Sequence, residues 1–415
     1  MPKVAYWAPE EDMTSLERVA GHALEHKEGD RCPVAPVMAN SCCRITGITF
    51  PEFAQDAYLA FQAFVAADEV IGHDVIVPLI DLSIDGEGFH IGERRQPIIY
   101  PQHDAARVDY DNPLIKSPDD YTKLERFDVK EVGRRTRYIS DLADYLTHYF
   151  QEQGTRLNNK HPVTPVIYGP LGVLGTLRGV ERLFVDIRKT PEKTKVALDI
   201  ITDELCDQCK AICESGCAVL YMITLFSGNV MMSKKSWNEA EAPWLARMAE
   251  TIRGTKASRV GIHNCVNGPY FEEIINCVKH QPRNPFSFAY VPDDCEDADD
   301  PDAAVKEKWG QKVTLFGYVV PATFAYLGTP KEMYIESCRL LDKCMKGGGY
   351  VLSCGCEFPP NGPFINAIAQ CTAAHECGRY DGKTVKIPFE WKDWALPERR
   401  SPAPLPKVEE VGKRY

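Results

Sequence analysis

The tripeptide His263-Asn264-Cys265 sets an imidazole and a thiol two residues apart at the end of a short β-branched run, residues 258–265. Positions i and i+2 of a strand share a face, so both side chains point the same way. A second run, residues 350–356, ends with thiols at Cys354 and Cys356, again two apart. One imidazole with two thiolates is a donor set for a soft divalent metal, zinc above all, with a fourth position left for a substrate. Spacing alone leaves open whether Cys354 or Cys356 completes it. A group of acids, Asp81, Asp85 and Glu87, follows another apolar run, and Asp81, which ends that run, is the first choice for a catalytic acid.

Other patterns carry less chemistry. Cys206, Cys209, Cys213 and Cys217 resemble a cluster motif, but their spacing traces one stripe of a helix and is explained by a core-facing row of small apolar residues. Cys42 and Cys43 have no partner legible in the sequence. Gly347 to Gly349 lack the Lys-Ser/Thr of a phosphate loop and read as a helix-to-strand turn. No GxSxG elbow is present, so serine hydrolysis has little support.

The elements that must position these residues alternate. Apolar or β-branched runs at 33–39, 74–81, 164–172, 218–224, 258–265, 285–290, 313–319 and 350–356 read as strands, with helical segments such as 51–70 and 190–216 between them. Strand and helix alternating eight times predict an α/β fold, a (β/α)8 barrel with its active site at the C-terminal ends of the strands. An open doubly wound sheet is the alternative, but no strand is followed by GxGxxG. The second and third runs lie too far apart for one crossover helix, so residues 134–154 read as a helical insertion. The barrel is expected over residues 1–378, and residues 379–415, with prolines at 388, 397, 402, 404 and 406, form a proline-rich C-terminal extension.

Composition narrows the partners. The 415 residues are 44% hydrophobic and 26% charged, an ordinary globular balance. A net charge of −11 argues against nucleic acid or an anionic membrane and leaves a small molecule or a protein. The first residues lack the apolar stretch of an export signal, and sixteen cysteines suit a reducing cytoplasm that keeps them as thiols. The acidic run from Asp293 to Asp302 falls after the sixth strand and reads as a solvated loop, with a docking edge as the second reading.

Several segments together carry a family resemblance: RCPVAPVM, IKSPDDYTKLERFD, YGPLGVLGTLRG, GYVVPATFAYLGTPKEM and GGGYVLSCGCEFPPNGPFINAIA. Across residues 15 to 378 the chain resembles the uroporphyrinogen decarboxylase superfamily, whose fold is the (β/α)8 barrel. The decarboxylase branch uses an arginine-rich segment after the first strand, and only Arg44 stands there. That branch's histidine is replaced by Cys356 and its tyrosine by Leu177, although Asp81 matches its aspartate. The other branch, zinc methyltransferases working with corrinoid proteins, uses H-x-C and a distant Cys. The resemblance therefore implies zinc on His263, Cys265 and Cys356, and a cobalamin carried by a separate corrinoid protein, since this chain lacks D-x-H-x-x-G. A homodimer is allowed for.

The methyl compound does not follow from the ligands. Tyr168, Tyr221 and Tyr318, with Phe226 and Tyr290, stand near the expected rim and could line a substrate pocket, with Tyr168, Tyr221 and Tyr318 the first choices. On that basis a methoxylated aromatic donor, demethylated at oxygen, is preferred to a thiol acceptor of the coenzyme M type. A uroporphyrinogen-type decarboxylase and a noncatalytic metal or corrinoid chaperone remain as further alternatives.

Overall fold

The computed structural model describes residues 1–130, 135–257, 259–385 and 387. Its main sheet has seven parallel strands: β1 Val34–Ala35, β2 Val166–Tyr168, β3 Val219–Thr224, β4 Arg259–Asn264, β5 Pro285–Phe288, β6 Thr314–Val319 and β7 Tyr350–Cys354. From β2 to β7 each strand pairs with the next, and β7 pairs with β1. Helices Pro191–Cys213, Ala242–Arg253 and Pro330–Cys344 supply crossovers, as parallel neighbours require. Strand residues are buried nearly throughout, which is why these runs read as continuously apolar instead of alternating.

The run at 74–81, expected as the second strand, is not one. It makes a single parallel bridge, Ile76 with Val163. Pro78 has no N–H to donate, and Leu79 N–H turns back onto the Val77 carbonyl at 2.9 Å, so a ladder cannot continue. The segment still spans the seam between β1 and β2: Asp74 N–H donates to Val34 O at 2.8 Å, and Thr164 N–H donates to Ile76 O at 2.9 Å.

The helical insertion is also corrected. Helix Tyr138–Leu146 packs between Ala57–Ile71 and Pro191–Cys213, the place of an ordinary crossover helix. The inserted chain is instead the stretch before it, with two small antiparallel ribbons, His90–Ile91 with Arg94–Arg95 and Ile98–Ile99 with Arg107–Val108. Short strands with charged ends gave no periodic signal to read. The helix expected over 51–70 is two, Phe50–Gln55 and Ala57–Ile71, because the Asp56 carboxylate leaves the helix to accept the N–H groups of Tyr58 and Leu59.

Most cysteines are core thiols, as expected, but Cys338 and Cys377 are joined as a disulfide. They lie where helices Pro330–Cys344 and Phe364–Glu376 pack, with Cα atoms 5.6 Å apart, inside disulfide reach. No helix among the described residues is long and apolar enough to cross a membrane. Of the C-terminal extension, residues 388–415 lie outside the described residues. Its start is anchored: Tyr380 N–H donates to Asp30 O at 3.1 Å.

Beneath the sheet, at the end where Asp74 meets β1, lies a buried ionic cluster. Arg18 and Arg31 are both 0% exposed. Arg18 binds Glu11, Asp30 and Asp74 at 2.5–2.7 Å, and Arg31 binds Glu11 and Asp74 at 2.6 and 2.7 Å. Asp74 also accepts from Ser15 Oγ at 2.7 Å and Val34 N–H at 2.8 Å. Burial alone would push the Asp74 carboxyl up, but Arg31 and Arg18 hold it well below the usual carboxylate range. This contribution to stability is complete above about pH 4, the unfolded value, and is lost as pH falls toward the depressed folded value. Asp74→Asn removes the charge shared by two buried guanidiniums and is expected to cost about 3–5 kcal/mol, read as a lower urea midpoint at neutral pH; an unshifted midpoint would show that the cluster does not hold the fold.

Candidate metal centre

Strand β4 places His263 by register opposite Ser287 of β5. Ser287 Oγ lies 2.9 Å from His263 Nδ1. The ring is thereby oriented, with Nε2 left for a metal. Cys265 follows immediately after the strand.

The third ligand depends on a break in alternation. On β7, Ser353 faces the interior cavity, while the Cys354 thiol points to the outer helix Phe364–Glu376 and lies 3.5 Å from Gln370 Oε1. Strict alternation would send Cys356 outward with it. The chain bends instead at Gly355, whose N–H donates to Val319 O at 2.8 Å. A Cβ at Gly355 would stand 2.7 Å from Ala289 Cα, so the close approach needs glycine. The bend turns Cys356 inward, and one ligand atom each of His263, Cys265 and Cys356 lies within 4.8 Å of the others. Among the described residues this is the group of His, Cys and acid side chains that could hold a metal ion. The four thiols from Cys206 to Cys217 form no such group; all are buried, and Cys206 accepts from Thr251 Oγ1 at 3.2 Å.

Electrostatics tie the two inward thiols together. A hydrogen bond with Cys356 holds the Cys265 thiol below its ordinary value against burial. The same bond, and then burial, push Cys356 up to about 12, while His263 pulls it down. The two sulfurs stand within hydrogen-bond reach of each other, and a divalent metal that binds them as thiolates takes the place of the proton between them. Two soft sulfurs and an oriented imidazole on one rim fit zinc.

Beside the triad is a cavity of about 40 Å³. Its walls are Val37, Val77, Leu79, Val166, Ile223 and Phe316, and its polar groups come from Tyr221, Ser287, Ser353 and Glu357 together with His263 and Cys356. Tyr221 reaches the interior because position 261 is glycine: a Cβ there would stand 2.6 Å from the tyrosine ring. The Tyr221 hydroxyl is buried with no hydrogen-bond partner. Tyr168 is buried near Cys265, Cys356, Glu357 and Asp85, and burial, with those groups adding, raises its phenol well above the ordinary value.

Other expected site residues stand elsewhere. Tyr318 donates its hydroxyl to Asp302 and stacks on Phe288 with centroids 5.0 Å apart, so it is drawn toward helix Pro301–Trp309 and does not line the cavity. Asp81 is buried but taken up by Arg135, 2.9 Å from Nη1, and by Ser83 N–H at 2.8 Å; it does not line the cavity either. Glu87 binds the same guanidinium at 2.8 Å. Asp85 accepts Tyr168 N–H at 2.8 Å, and burial pushes its carboxyl up to about 7. Phe226 packs on Phe184, and Tyr290 is exposed. In the acidic run, Asp293, Asp294, Asp300 and Asp302 pair with Lys234, Lys308, Lys343 and Arg339, which spends much of the charge a docking edge would use.

Two residues of the site were not singled out from the sequence. Ser287 is visible only through the β4–β5 register. Glu357, directly after Cys356, was legible as a neighbour of a ligand. Its Oε1 accepts Asn40 N–H at 3.0 Å and Asn40 Nδ2 at 2.9 Å, and burial pushes its carboxyl up to about 8.

From this geometry, Cys356→Ala is expected to abolish zinc binding, whereas Cys354→Ser keeps about one zinc per chain by metal analysis; the reverse pattern would reassign the ligand. Ser287→Ala frees the His263 ring and should weaken zinc about 10–100-fold in competition with a chromophoric chelator.

Known proteins place the fold in context. A methylated-thiol–coenzyme M methyltransferase from Methanosarcina mazei is 20% identical over 383 residues, covering 89% of this chain and 92% of that protein. A solved structure described as a methyltransferase from Methanosarcina mazei superposes with a TM-score of 0.66 at 18% identity, covering 88% of this chain and 98% of that one. The family described as uroporphyrinogen decarboxylase (URO-D) matches residues 16–377, and the chain belongs to it.

Proposed function

We propose that this protein is a zinc-dependent methyltransferase that moves a methyl group between a small thiol or thioether and the cobalt of a corrinoid held by a separate protein. The observation that carries this reading is the convergence of His263, Cys265 and Cys356 at an apolar cavity. The relative from Methanosarcina mazei, named for methylated thiols and coenzyme M, supports sulfur over the methoxylated aromatic that the rim tyrosines first suggested. The architecture is read as an eight-stranded barrel whose second strand is reduced to the Ile76 bridge.

Zinc on this triad would supply a Lewis acid with one position for a substrate sulfur. The chain's own residues do the rest. Ser287 fixes the imidazole, and Val77, Leu79, Val166 and Phe316 keep water from the methyl group. Tyr221, whose hydroxyl has no partner, is proposed to donate a hydrogen bond to the substrate. Asp81 is proposed to act as a positioning residue, holding Arg135 and the turn at Ser83. Decarboxylation is the weaker reading, since no Lys or Arg among the described residues lines the cavity to bind propionate carboxylates.

The test is spectroscopic. Zinc-loaded protein mixed with methylcobalamin and a small thiol is expected to convert methylcobalt to the demethylated form, and a panel of methoxylated aromatics with reduced corrinoid is not. Product formation that proceeds equally without any corrinoid would refute methyl transfer to or from cobalt. Tyr221→Phe should lower kcat/KM about ten-fold while leaving the urea midpoint unchanged or slightly raised, because the lost hydroxyl has no partner in the folded protein.

A further inference from the structure

His263 lines the cavity, and the next side chain, Asn264, points to the opposite face of β4. Asn264 is 0% exposed and stands opposite Thr224 in the register of β3 with β4. Each polar atom of its side chain is engaged. Nδ2 donates to Thr224 Oγ1 at 3.0 Å and to Ser227 O at 3.0 Å, while Oδ1 accepts the N–H of Val266 at 3.0 Å. Its main-chain carbonyl accepts Ala289 N–H at 3.1 Å, just past the end of β5. Thr224 Oγ1 passes its own proton on to His263 O at 3.3 Å. One residue thereby ties together the ends of three strands.

The two ladders that hold β4 both end at Asn264, which pairs with Thr224 on one side and Phe288 on the other. Cys265 is the first residue past them, so no ladder decides where its thiol points. A turn does. An asparagine oxygen that accepts the N–H two residues on closes an Asx turn, and here the turn spans Cys265. The far side of the loop is held as well: Asn229 N–H donates to Gly268 O at 3.0 Å, Tyr270 N–H to Ser227 O at 3.1 Å, and Gly228 leaves no room for a Cβ against Val266. Ser227 is itself fixed, because its Oγ donates to Glu241 at 2.8 Å and accepts from Trp237 Nε1 at 2.8 Å, both of them buried residues of the following helical segment. We propose that Asn264 is a positioning residue of the metal centre: its Oδ1 turns the chain so that Cys265 is presented beside His263 and Cys356, and its Nδ2 anchors that turn to β3. The inference rests on the zinc reading above and adds to it the residue that forms the site before the metal arrives.

Co(II) titrated into the full chain in place of zinc reads affinity and ligand count together, through the thiolate-to-cobalt absorption band. Asn264→Ala is expected to weaken cobalt about 10–100-fold, as loss of a group that orients a ligand does. At saturation the band per bound cobalt should fall to about half, because Cys356 still binds and Cys265 no longer does. Asn264→Asp keeps an oxygen for Val266 N–H and loses only the two donors, so it should bind more weakly than wild type yet show the full band. A role in packing alone gives the opposite order, since Asp buries a charge next to the Ser227 carbonyl and Ala does not. Wild-type affinity with a full band in Asn264→Ala, or a halved band in Asn264→Asp, overturns the proposal. Should Asn264→Ala fail to fold, Thr224→Val, which removes one anchor of the amide at nearly equal volume, must weaken cobalt while keeping the full band; unchanged affinity overturns the proposal. A wild-type chain that gives no cobalt band rejects the zinc reading and this inference together. A failed methylcobalamin assay rejects methyl transfer alone, because the cobalt titration needs no turnover.

Discussion

A carboxylate buried from solvent closes this fold. Asp74 sits where the parallel sheet has its weakest seam, between β1 and β2, and there the backbone supplies one bridge instead of a ladder. Its two oxygens take up guanidiniums from Arg18 and Arg31, the Ser15 hydroxyl and the N–H of Val34. The amino-terminal segment, the first strand and the reduced second strand are thereby fixed to one another by charge. Such a cluster is costly to assemble in a dry interior and more costly to break, because every partner removed leaves another charge unpaired. It lies at the N-terminal end of the sheet, where barrels keep stability apart from chemistry.

That separation leaves the opposite rim free to be assembled from residues far apart in the chain. His263 and Cys265 come from the end of β4, Ser287 from β5, and Cys356 and Glu357 from beyond β7. Parallel register brings Ser287 to the imidazole, and a glycine bend brings Cys356 to the thiol of Cys265. The site thus uses both the regularity of the sheet and one departure from it. His263 near the end of β4 and Cys265 and Cys356 just past the ends of β4 and β7 lie with one ligand atom each within 4.8 Å of the others, the closeness that a metal needs.

The chemistry follows from what the cavity holds and what it excludes. Apolar walls beside a soft-metal donor set, with no Lys or Arg among the described residues lining them, distinguish the cavity from a pocket built for carboxylates. Polar groups inside are few, and one of the lining residues, Tyr221, has a buried hydroxyl without a hydrogen-bond partner. Buried groups left without internal partners are where a ligand's own hydrogen bonds gain most.

By itself the sequence determined the alternation of strand and helix, because buried parallel strands are continuous apolar runs, and it named His263 and Cys265, because a two-residue spacing on a strand is local geometry. It could not choose between Cys354 and Cys356: a bend at Gly355, in close contact with Ala289 far away in the chain, brings the Cys356 thiol near His263 and Cys265 while Cys354 lies against Gln370. Nor could it show that residues 74–81 lose their strand to Pro78 and the demands of Asp74, or that helix Tyr138–Leu146 is a crossover and not an insertion, since both depend on neighbours separated by scores of residues. Tyr168, Tyr221 and Tyr318 looked alike as rim aromatics. Tertiary structure set Tyr221 inside through the gap at Gly261, placed Tyr168 near the thiols, and drew Tyr318 away to Asp302, because where a side chain points is decided by the space and the partners around it.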